Sequence, residues 1–530
     1  MNFRLVFKQL GLVLIVLSAC MLLSDLAVWV MALSGAVHET AGAATEGPAR
    51  LALLLAAGVG MIIGGALWLS LRRTTAHLGR REALLIVALS WLIGAALAAT
   101  PFLLWAHLAG EATAGHPFQR YINCYFEAMS GLTTTGATVL GADPYPIEAV
   151  APSLLFWRAL THWLGGLGIV LLFVAILPSL GVGGKRLFRI EAPGPEPEGV
   201  RPHIRDTARV LWYIYLGLTV VEILALWIVG RMSLYDACCH TFATLATGGF
   251  SPRTASVGAY TNWLAVDVIV IVFMLLAGVN FGLYYQLIRR KWKTFFGDTE
   301  LRVYLSLMLV GTILVVASIW ASVEPIQLTN GEQVESGLGS SIRQGLFTTV
   351  SINTTTGFCT ADFNAWPFLA KAVLVMLMFV GGSAGSTAGG IKVIRVWIAF
   401  RVMIAELEKA FRPNVVRPVR VGGAKVDTDM KLSAIAFLVG IVLLFVLGAG
   451  AVMLLEQAYG DGTCDFTSAA TASVATLCTI GPGLGKIGAI ENYGWFSDAS
   501  KIVLSLLMAL GRLEIFAILV LFTPRFWKSD

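Results

Sequence analysis

The chain has 530 residues, of which 57% are Ala, Val, Ile, Leu, Met, Phe, Trp, Tyr or Cys and only 13% are charged. Soluble globular proteins carry about 25% charged residues, so this composition excludes a soluble enzyme, a disordered chain and a DNA-binding domain. The 38 Lys and Arg against 32 Asp and Glu leave a net charge of +6, which is informative only through its placement.

A bilayer core requires about 20 consecutive apolar residues per helix. Ten such runs are expected, at 8–33, 50–71, 83–108, 153–178, 208–230, 262–288, 301–323, 367–400, 431–456 and 499–523. The first is too long for the apolar segment of a signal peptide and ends in no clean cleavage site. Ten spans place both termini on one side. Segments assigned to that side carry 24 Lys and Arg, whereas the opposite loops carry only Arg50, Arg120, Arg231, Arg253, Arg343 and Lys486. Basic residues concentrate on the cytoplasmic side, so both termini are expected in the cytoplasm.

Four external loops each hold an apolar stretch too short to span: 121–134, 235–246, 338–353 and 464–478. Each ends in a Thr- or Gly-rich turn: Ser130–Gly136, Ala243–Ser251, Ile352–Phe358 and Thr476–Gly483. Glycines 136, 248, 357 and 481 are 112, 109 and 124 residues apart, which reads as an internal repeat of helix, re-entrant turn and helix. Non-helical backbone at membrane depth is tolerated only where it is buried in protein or lines water. The predicted fold is therefore all-α and polytopic, with four pseudo-symmetric helix–pore loop–helix repeats around a central pore and two additional N-terminal helices. The expected units are 1–82 for the N-terminal pair, then 83–200, 201–297, 298–425 and 426–530 for the repeats.

Four re-entrant turns around one axis suit a cation, because backbone carbonyls replace its water shell without burying a net charge. The C-terminal ends of the re-entrant helices add partial negative charge toward the same cavity. The expected span 367–400 has 34 residues, ~51 Å of helix, and its run Gly381–Gly390 predicts a break. Close helix packing through small residues is the competing reading of that run. The seven cysteines (Cys20, Cys124, Cys238, Cys239, Cys359, Cys464 and Cys478) show no metal-ligand spacing and are expected to be reduced and buried. Asp236 and Asp465 read as helix caps, while Glu127, later in its helix, is placed to bond loop amides. Arg158 and His162, one turn apart, suggest an internal salt bridge. Asp25, Glu222 and Asp267 lie near helix ends, where interfacial placement is expected. The segment Pro193–Gly199 reads as a stiff linker, and Lys409–Lys425 as a lipid-headgroup patch or a docking surface.

The motifs Gly131–Thr138, Ile176–Gly184, Gly381–Gly390 with Ile391–Arg395, Gly481–Gly485 and Gly511–Glu514 together resemble the potassium-translocating membrane subunits of bacterial Trk systems, in the Trk/Ktr/HKT superfamily. The resemblance spans nearly the whole chain. It implies potassium uptake across the bacterial inner membrane through filter strands Thr134-Thr135-Gly136, Ala246-Thr247-Gly248, Thr355-Thr356-Gly357 and Thr479-Ile480-Gly481. One glycine per strand implies looser K⁺/Na⁺ discrimination than in tetrameric potassium channels. An intramembrane gate is implied at Gly381, Gly382, Gly385, Gly389 and Gly390. Arg512 is implied to project into the pore below the filter, with an internal ion pair as the alternative. Lys392 and Arg395 read either as gating residues or as side chains snorkelling to the cytoplasmic interface. The family pattern further implies a homodimer in the lipid bilayer and a cytosolic TrkA-like ring of nucleotide-binding subunits. It calls for no nucleic acid and no organic cofactor on this chain, with K⁺ as the transported ion. An ion-coupled secondary transporter (K⁺/H⁺ or K⁺/Na⁺ symport) is the alternative; a membrane-embedded enzyme lacks any nucleophile–base motif.

Overall fold

The computed structural model describes residues 1–37, 41–74, 78–141, 145–166, 168, 204–414, 418–422 and 424–528. Uniformly apolar sequence with few charges has no aqueous face to present, so it satisfies its backbone within helices. The result is a mostly helical chain, with two-stranded ribbons among the described residues at Ile326–Gln327 with Gln333–Val334 and at Arg420–Val421 with Ala424–Lys425. Large apolar side chains remain exposed on the outer helices, among them Ile62 at 72%, Leu309 at 62% and Val439 at 63%. Such a surface is stable against lipid and not against water.

Among the described residues, six helices are long and apolar enough to cross a bilayer: Phe3–Leu33, Ala41–Ser70, Arg80–Leu108, Arg209–Val229, Thr299–Trp320 and Thr428–Tyr459. Two bent pairs raise the number to eight: Trp263–Ala277 with Phe281–Ile288 at 96°, and Asp498–Arg512 with Phe516–Phe522 at 113°. The expected straight spans 262–288 and 499–523 are therefore broken helices. The expected span 367–400 is also interrupted, into Phe368–Phe379 and Val393–Phe411, with a non-helical segment between them. The expected span 153–178 begins as the helix Pro152–Gly166. Its remainder apart from Gly168, the motif Ile176–Gly184 and the linker Pro193–Gly199 lie outside the described residues, as does part of Lys409–Lys425.

Four shorter helices lie at the expected re-entrant positions: Tyr121–Leu132, Leu234–Leu245, Leu338–Asn353 and Phe466–Leu477. Apart from the partly buried Phe242 and Leu346, their C-terminal halves are buried. Flanking helices approach them through glycine. A Cβ on Gly165 would stand 1.8 Å from the Leu132 carbonyl oxygen, and one on Gly511 would stand 1.8 Å from that of Leu477. Only a residue without a side chain lets the long helices reach the ends of the short ones.

Candidate functional site

Each short helix ends in the same way. Thr133, Ala246, Thr354 and Cys478 cap the four C-termini with near-helical backbone. The next residue is a threonine in the left-handed region every time: Thr134 at φ 54°, Thr247 at 53°, Thr355 at 59° and Thr479 at 52°. The amide after it donates back to a carbonyl five residues earlier, Thr135 to Ser130 at 2.9 Å, Gly248 to Ala243 at 2.8 Å, Thr356 to Ser351 at 2.9 Å and Ile480 to Ala475 at 2.8 Å. This is a Schellman closure, which normally takes glycine at the left-handed position. A β-branched residue there is strained, and four such residues at one structural position mark these turns as built for a purpose other than stability.

A glycine with positive φ follows two residues after each of these threonines: Gly136 at 79°, Gly249 at 79°, Gly357 at 80° and Gly481 at 96°. The second turn therefore lies one residue later than the sequence comparison put it. Ala246 corresponds to Thr133, and the matching triplet is Thr247-Gly248-Gly249. Gly248 is small for a different reason: a Cβ there would come within 2.5 Å of the His162 ring. The cap and the residue two positions on also match one another. Thr133 and Thr135 pair through hydroxyls at 2.8 Å, as do Thr354 and Thr356, while the other two turns carry Ala246 with Gly248 and Cys478 with Ile480.

The four turns close on each other. A Cβ on Gly136 would stand 2.1 Å from the Gly248 carbonyl oxygen, one on Gly249 2.1 Å from that of Thr356, one on Gly357 1.9 Å from that of Ile480, and one on Gly481 2.7 Å from that of Thr135. The first turn thus meets the second, the second the third, the third the fourth and the fourth the first. Glycines 136, 249, 357 and 481 all line one cavity of about 80 Å³. The hydroxyls of Thr134 and Thr479 are buried without a partner among the described residues.

Each turn is braced from behind. Glu127, fully buried, accepts from Thr138 Oγ1 at 2.7 Å, from the Val139 amide at 2.9 Å and from Arg158 Nε at 2.7 Å. Glu127 therefore bonds the loop as expected, and it is the partner of Arg158 in an internal salt bridge. Arg158 also stands over the Phe250 ring at 3.4 Å and donates to the Ser251 carbonyl. His162 Nδ1 lies 2.7 Å from the Gly131 carbonyl. In the other turns Ser251 meets His240, Ser351 donates to the Phe358 carbonyl, and Thr471 bonds both ways with Leu484. Tyr493, which sequence reasoning did not single out, donates its hydroxyl to the Gly481 carbonyl at 2.7 Å.

The segment Gly381–Gly390 folds directly against the turns. The Gly389 amide donates to Thr355 Oγ1 at 2.7 Å, and a Cβ on Gly389 would stand 1.9 Å from Thr479 Oγ1. A Cβ on Gly381 would strike the Gly389 carbonyl, and one on Gly382 would stand 2.8 Å from the Gly278 carbonyl; Gly385 and Gly390 adopt φ of 72° and 63°. Glu300 Oε1 receives the Ala384 amide within the segment at 2.7 Å and the Ile394 amide at the start of the helix that follows it at 3.3 Å. Lys392 is buried and donates to the Ala388 carbonyl. Arg512 donates to the carbonyls of Thr387, Gly165 and Gly166 at 2.7, 2.5 and 2.6 Å. Arg395 pairs with Glu514 at 2.5 Å under the Phe437 ring. Both Lys392 and Arg395 are thus engaged by partners within the protein.

Asp465 caps its helix through the Ser468 amide as expected. Asp236 does not: Ser233 is the cap, and Asp236 pairs with Arg253 at 3.0 Å. Asp25 and Asp267 are buried in ion pairs with Arg50 and Arg343, and Glu222 is fully buried. The seven cysteines are all free. Among the described residues no cluster of His, Cys, Asp and Glu could hold a metal ion. The oxygens the turns gather are uncharged carbonyls and hydroxyls, a donor set for a large monovalent cation that sheds its water.

Residues 54–529 match the TrkH family, described as "Cation transport protein". The chain is 35% identical over 532 aligned positions to the Trk system potassium uptake protein TrkH of Salmonella typhimurium, covering 100% of both chains, and equally so to that of Escherichia coli K12. It is 33% identical over 470 positions to the E. coli K12 TrkG, covering 88% of this chain and 90% of that one. Its fold matches the crystal structure of the potassium transporter TrkH from Vibrio parahaemolyticus with a TM-score of 0.79 at 33% identity, covering 100% of each chain.

Proposed function

The chain belongs to the TrkH family of cation transport proteins, and from that premise we propose that it is a potassium-uptake pore of the bacterial inner membrane. The filter comprises Thr134-Thr135-Gly136, Thr247-Gly248-Gly249, Thr355-Thr356-Gly357 and Thr479-Ile480-Gly481. The observation that carries this reading is the mutual closure of the four turns, whose glycines line one cavity; it supports a ring of uncharged oxygens from four distant parts of one chain. Potassium holds its water less tightly than sodium does, so carbonyl oxygens can replace that shell. The unpartnered Thr134 and Thr479 hydroxyls supply further ligands at the inner end.

Ten spans in four repeats, bounded at 83–200, 201–297, 298–425 and 426–530, with 1–82 as an added pair, fit the positions of the four turns. Both termini then lie in the cytoplasm. The segment Gly381–Gly390 is the gate. Its contact with Thr355, and the Arg512 side chain that joins its Thr387 carbonyl to those of Gly165 and Gly166, support a closed arrangement under the filter, with Lys392 holding the inner end. A homodimer regulated by a TrkA-like nucleotide-binding ring follows from the family relation. An inside-negative potential contributes about 2.3 kcal/mol per charge per 100 mV, enough for roughly 50-fold accumulation without a coupled ion. Glu127, the carboxylate behind the first turn, is committed to Arg158 and two loop donors, which favours a gated channel over an ion-coupled carrier.

The test is K⁺ and Na⁺ uptake in a bacterial strain lacking its own potassium transport, for the parent and Gly357→Ser, normalised to protein in the membrane. The added Cβ meets the Ile480 carbonyl at a backbone angle that favours glycine. The expected result is a fall in K⁺ preference and rate. Unchanged uptake and selectivity would remove the filter assignment.

A further inference from the structure

The fourth turn differs from the others at its outer end. The Gly481 carbonyl receives the Tyr493 hydroxyl at 2.7 Å, the usual length of a strong O–H···O bond. Among the described residues, the equivalent carbonyls of Gly136 and Gly249 receive no donor, and that of Gly357 receives only the weak Cys359 thiol at 3.6 Å. Tyr493 is itself held firmly. Its ring is buried beside Phe126 and Phe496, with centroids at 5.5 and 5.8 Å, and its amide donates to the Thr138 carbonyl at 2.8 Å. One residue therefore ties the glycine of the fourth turn to the outer strand of the first, across the seam where the ring closes.

We propose that Tyr493 is a positioning residue for ion selectivity, acting through the Gly481 carbonyl, and that the outer ion position is asymmetric by design. The inference rests on the filter reading above. A carbonyl bonded to a rigid phenol has one lone pair engaged and its direction fixed. It can still meet a large cation with the other lone pair, but it cannot swing inward to follow a small one. Sodium demands shorter contacts than potassium, so a tethered oxygen penalises sodium more. Removing the hydroxyl frees the carbonyl and lets the site contract.

The experiment compares Tyr493→Phe with the parent and with Gly357→Ser, measuring rubidium and sodium uptake against ion concentration in the same deficient strain, per unit of protein in the membrane. Phe keeps the ring and its neighbours and deletes only the hydroxyl. The expected outcome is a sodium-to-rubidium ratio raised about five-fold, the equivalent of one ordinary hydrogen bond. The change should appear mainly as a lower KM for sodium, with the maximal rubidium rate nearly unchanged. A general loss of rate for both ions at a constant ratio, or no change while Gly357→Ser shifts the ratio, overturns the role of Tyr493 and leaves the filter standing. No change in either variant overturns both. If Tyr493→Phe does not reach the membrane, 3,5-difluorotyrosine at position 493 alters donor strength while keeping the hydroxyl, and an unchanged ratio there also overturns the proposal.

Discussion

The amide of Gly389 donates to the hydroxyl of Thr355 at 2.7 Å, so the glycine-rich segment is fastened to the third turn by a single side chain. Thr355 is also one of the four strained left-handed threonines. The same residue thus shapes the proposed filter and holds the proposed gate against it. Thr355→Val removes the acceptor and keeps the shape. Basal rubidium flux should rise about five-fold, the value of one hydrogen bond, and Thr355→Ser should restore the parent rate. Equal flux in all three proteins would mean that this bond does not restrain the segment.

Glu300 fastens the other side. Its Oε1 receives two buried amides, Ala384 within the segment and Ile394 at the start of the helix that follows it. Glu300→Ala leaves both without a partner, at roughly 1–3 kcal/mol each. Glu300→Gln retains a carbonyl oxygen able to accept both. Rubidium flux and protein level should be near those of the parent for Gln, with a leaky or poorly accumulated protein for Ala. Identical behaviour of the two variants would count against the clamp.

Arg512 reaches from the helix Asp498–Arg512 to carbonyls in two other parts of the chain. In the proposed pore its positive charge would oppose a cation leaving inward, and its bonds join Thr387 of the segment to Gly165 and Gly166. Arg512→Ala removes both restraints, and rubidium flux should increase several-fold at unchanged membrane levels. A rate equal to the parent would return Arg512 to a purely structural role.

What the sequence made legible follows from the range of each interaction. The apolar runs and glycine-bearing turns are local, and they located the long helices that the structure describes and the four short ones. The second turn slipped by one residue because Gly248 and Gly249 are adjacent and either fits the motif. Counting from the caps would have resolved it: Asp465 precedes Gly481 by 16 residues, and Ser233 precedes Gly249 by the same 16. The break after Arg512 carries no proline and no glycine between Leu513 and Phe516. It is imposed by partners far away in sequence, Arg395 on Glu514 and Leu477 against Gly511. Glu300, 84 and 94 residues from the amides it receives, carries no local signal of any kind.

Glu127 and Arg158 form a buried pair, with side chains 0% and 3% exposed, 2.7 Å apart. Breaking such a pair from one side leaves a buried charge uncompensated, at about 3–5 kcal/mol, whereas replacing both partners by apolar residues is often close to neutral. Glu127→Leu should therefore lower the unfolding temperature in detergent sharply, and Glu127→Leu with Arg158→Met should recover much of the loss. The double variant should still transport poorly, because Thr138 and Val139 lose their acceptor behind the first turn. If the double variant is no more stable than Glu127→Leu alone, Arg158 is not the partner whose stranding matters.

His116 gives a pH dependence with a definite sign. It lies in the external connection before the first short helix, packed among Trp105, Phe118 and Tyr145, and its Nδ1 accepts from the Phe118 amide at 3.2 Å. Burial pushes the imidazole down from 6.5 to about 4. The unfolded chain takes up a proton below 6.5 and the folded one does not until about 4, so stability rises with pH between these values. The contribution is fully present above 6.5 and is lost progressively as pH falls to about 4. At 1.36 kcal/mol per pH unit the total is about 3 kcal/mol. In His116→Asn the Oδ1 can replace Nδ1 as acceptor for the Phe118 amide, and no titrating group remains. Its unfolding temperature in detergent should fall less steeply than that of the parent between pH 6.5 and 4, and the two curves should run parallel above pH 7. Parallel curves across the whole range would mean that the ring is reached by water and protonates in the folded protein as it does in the unfolded one.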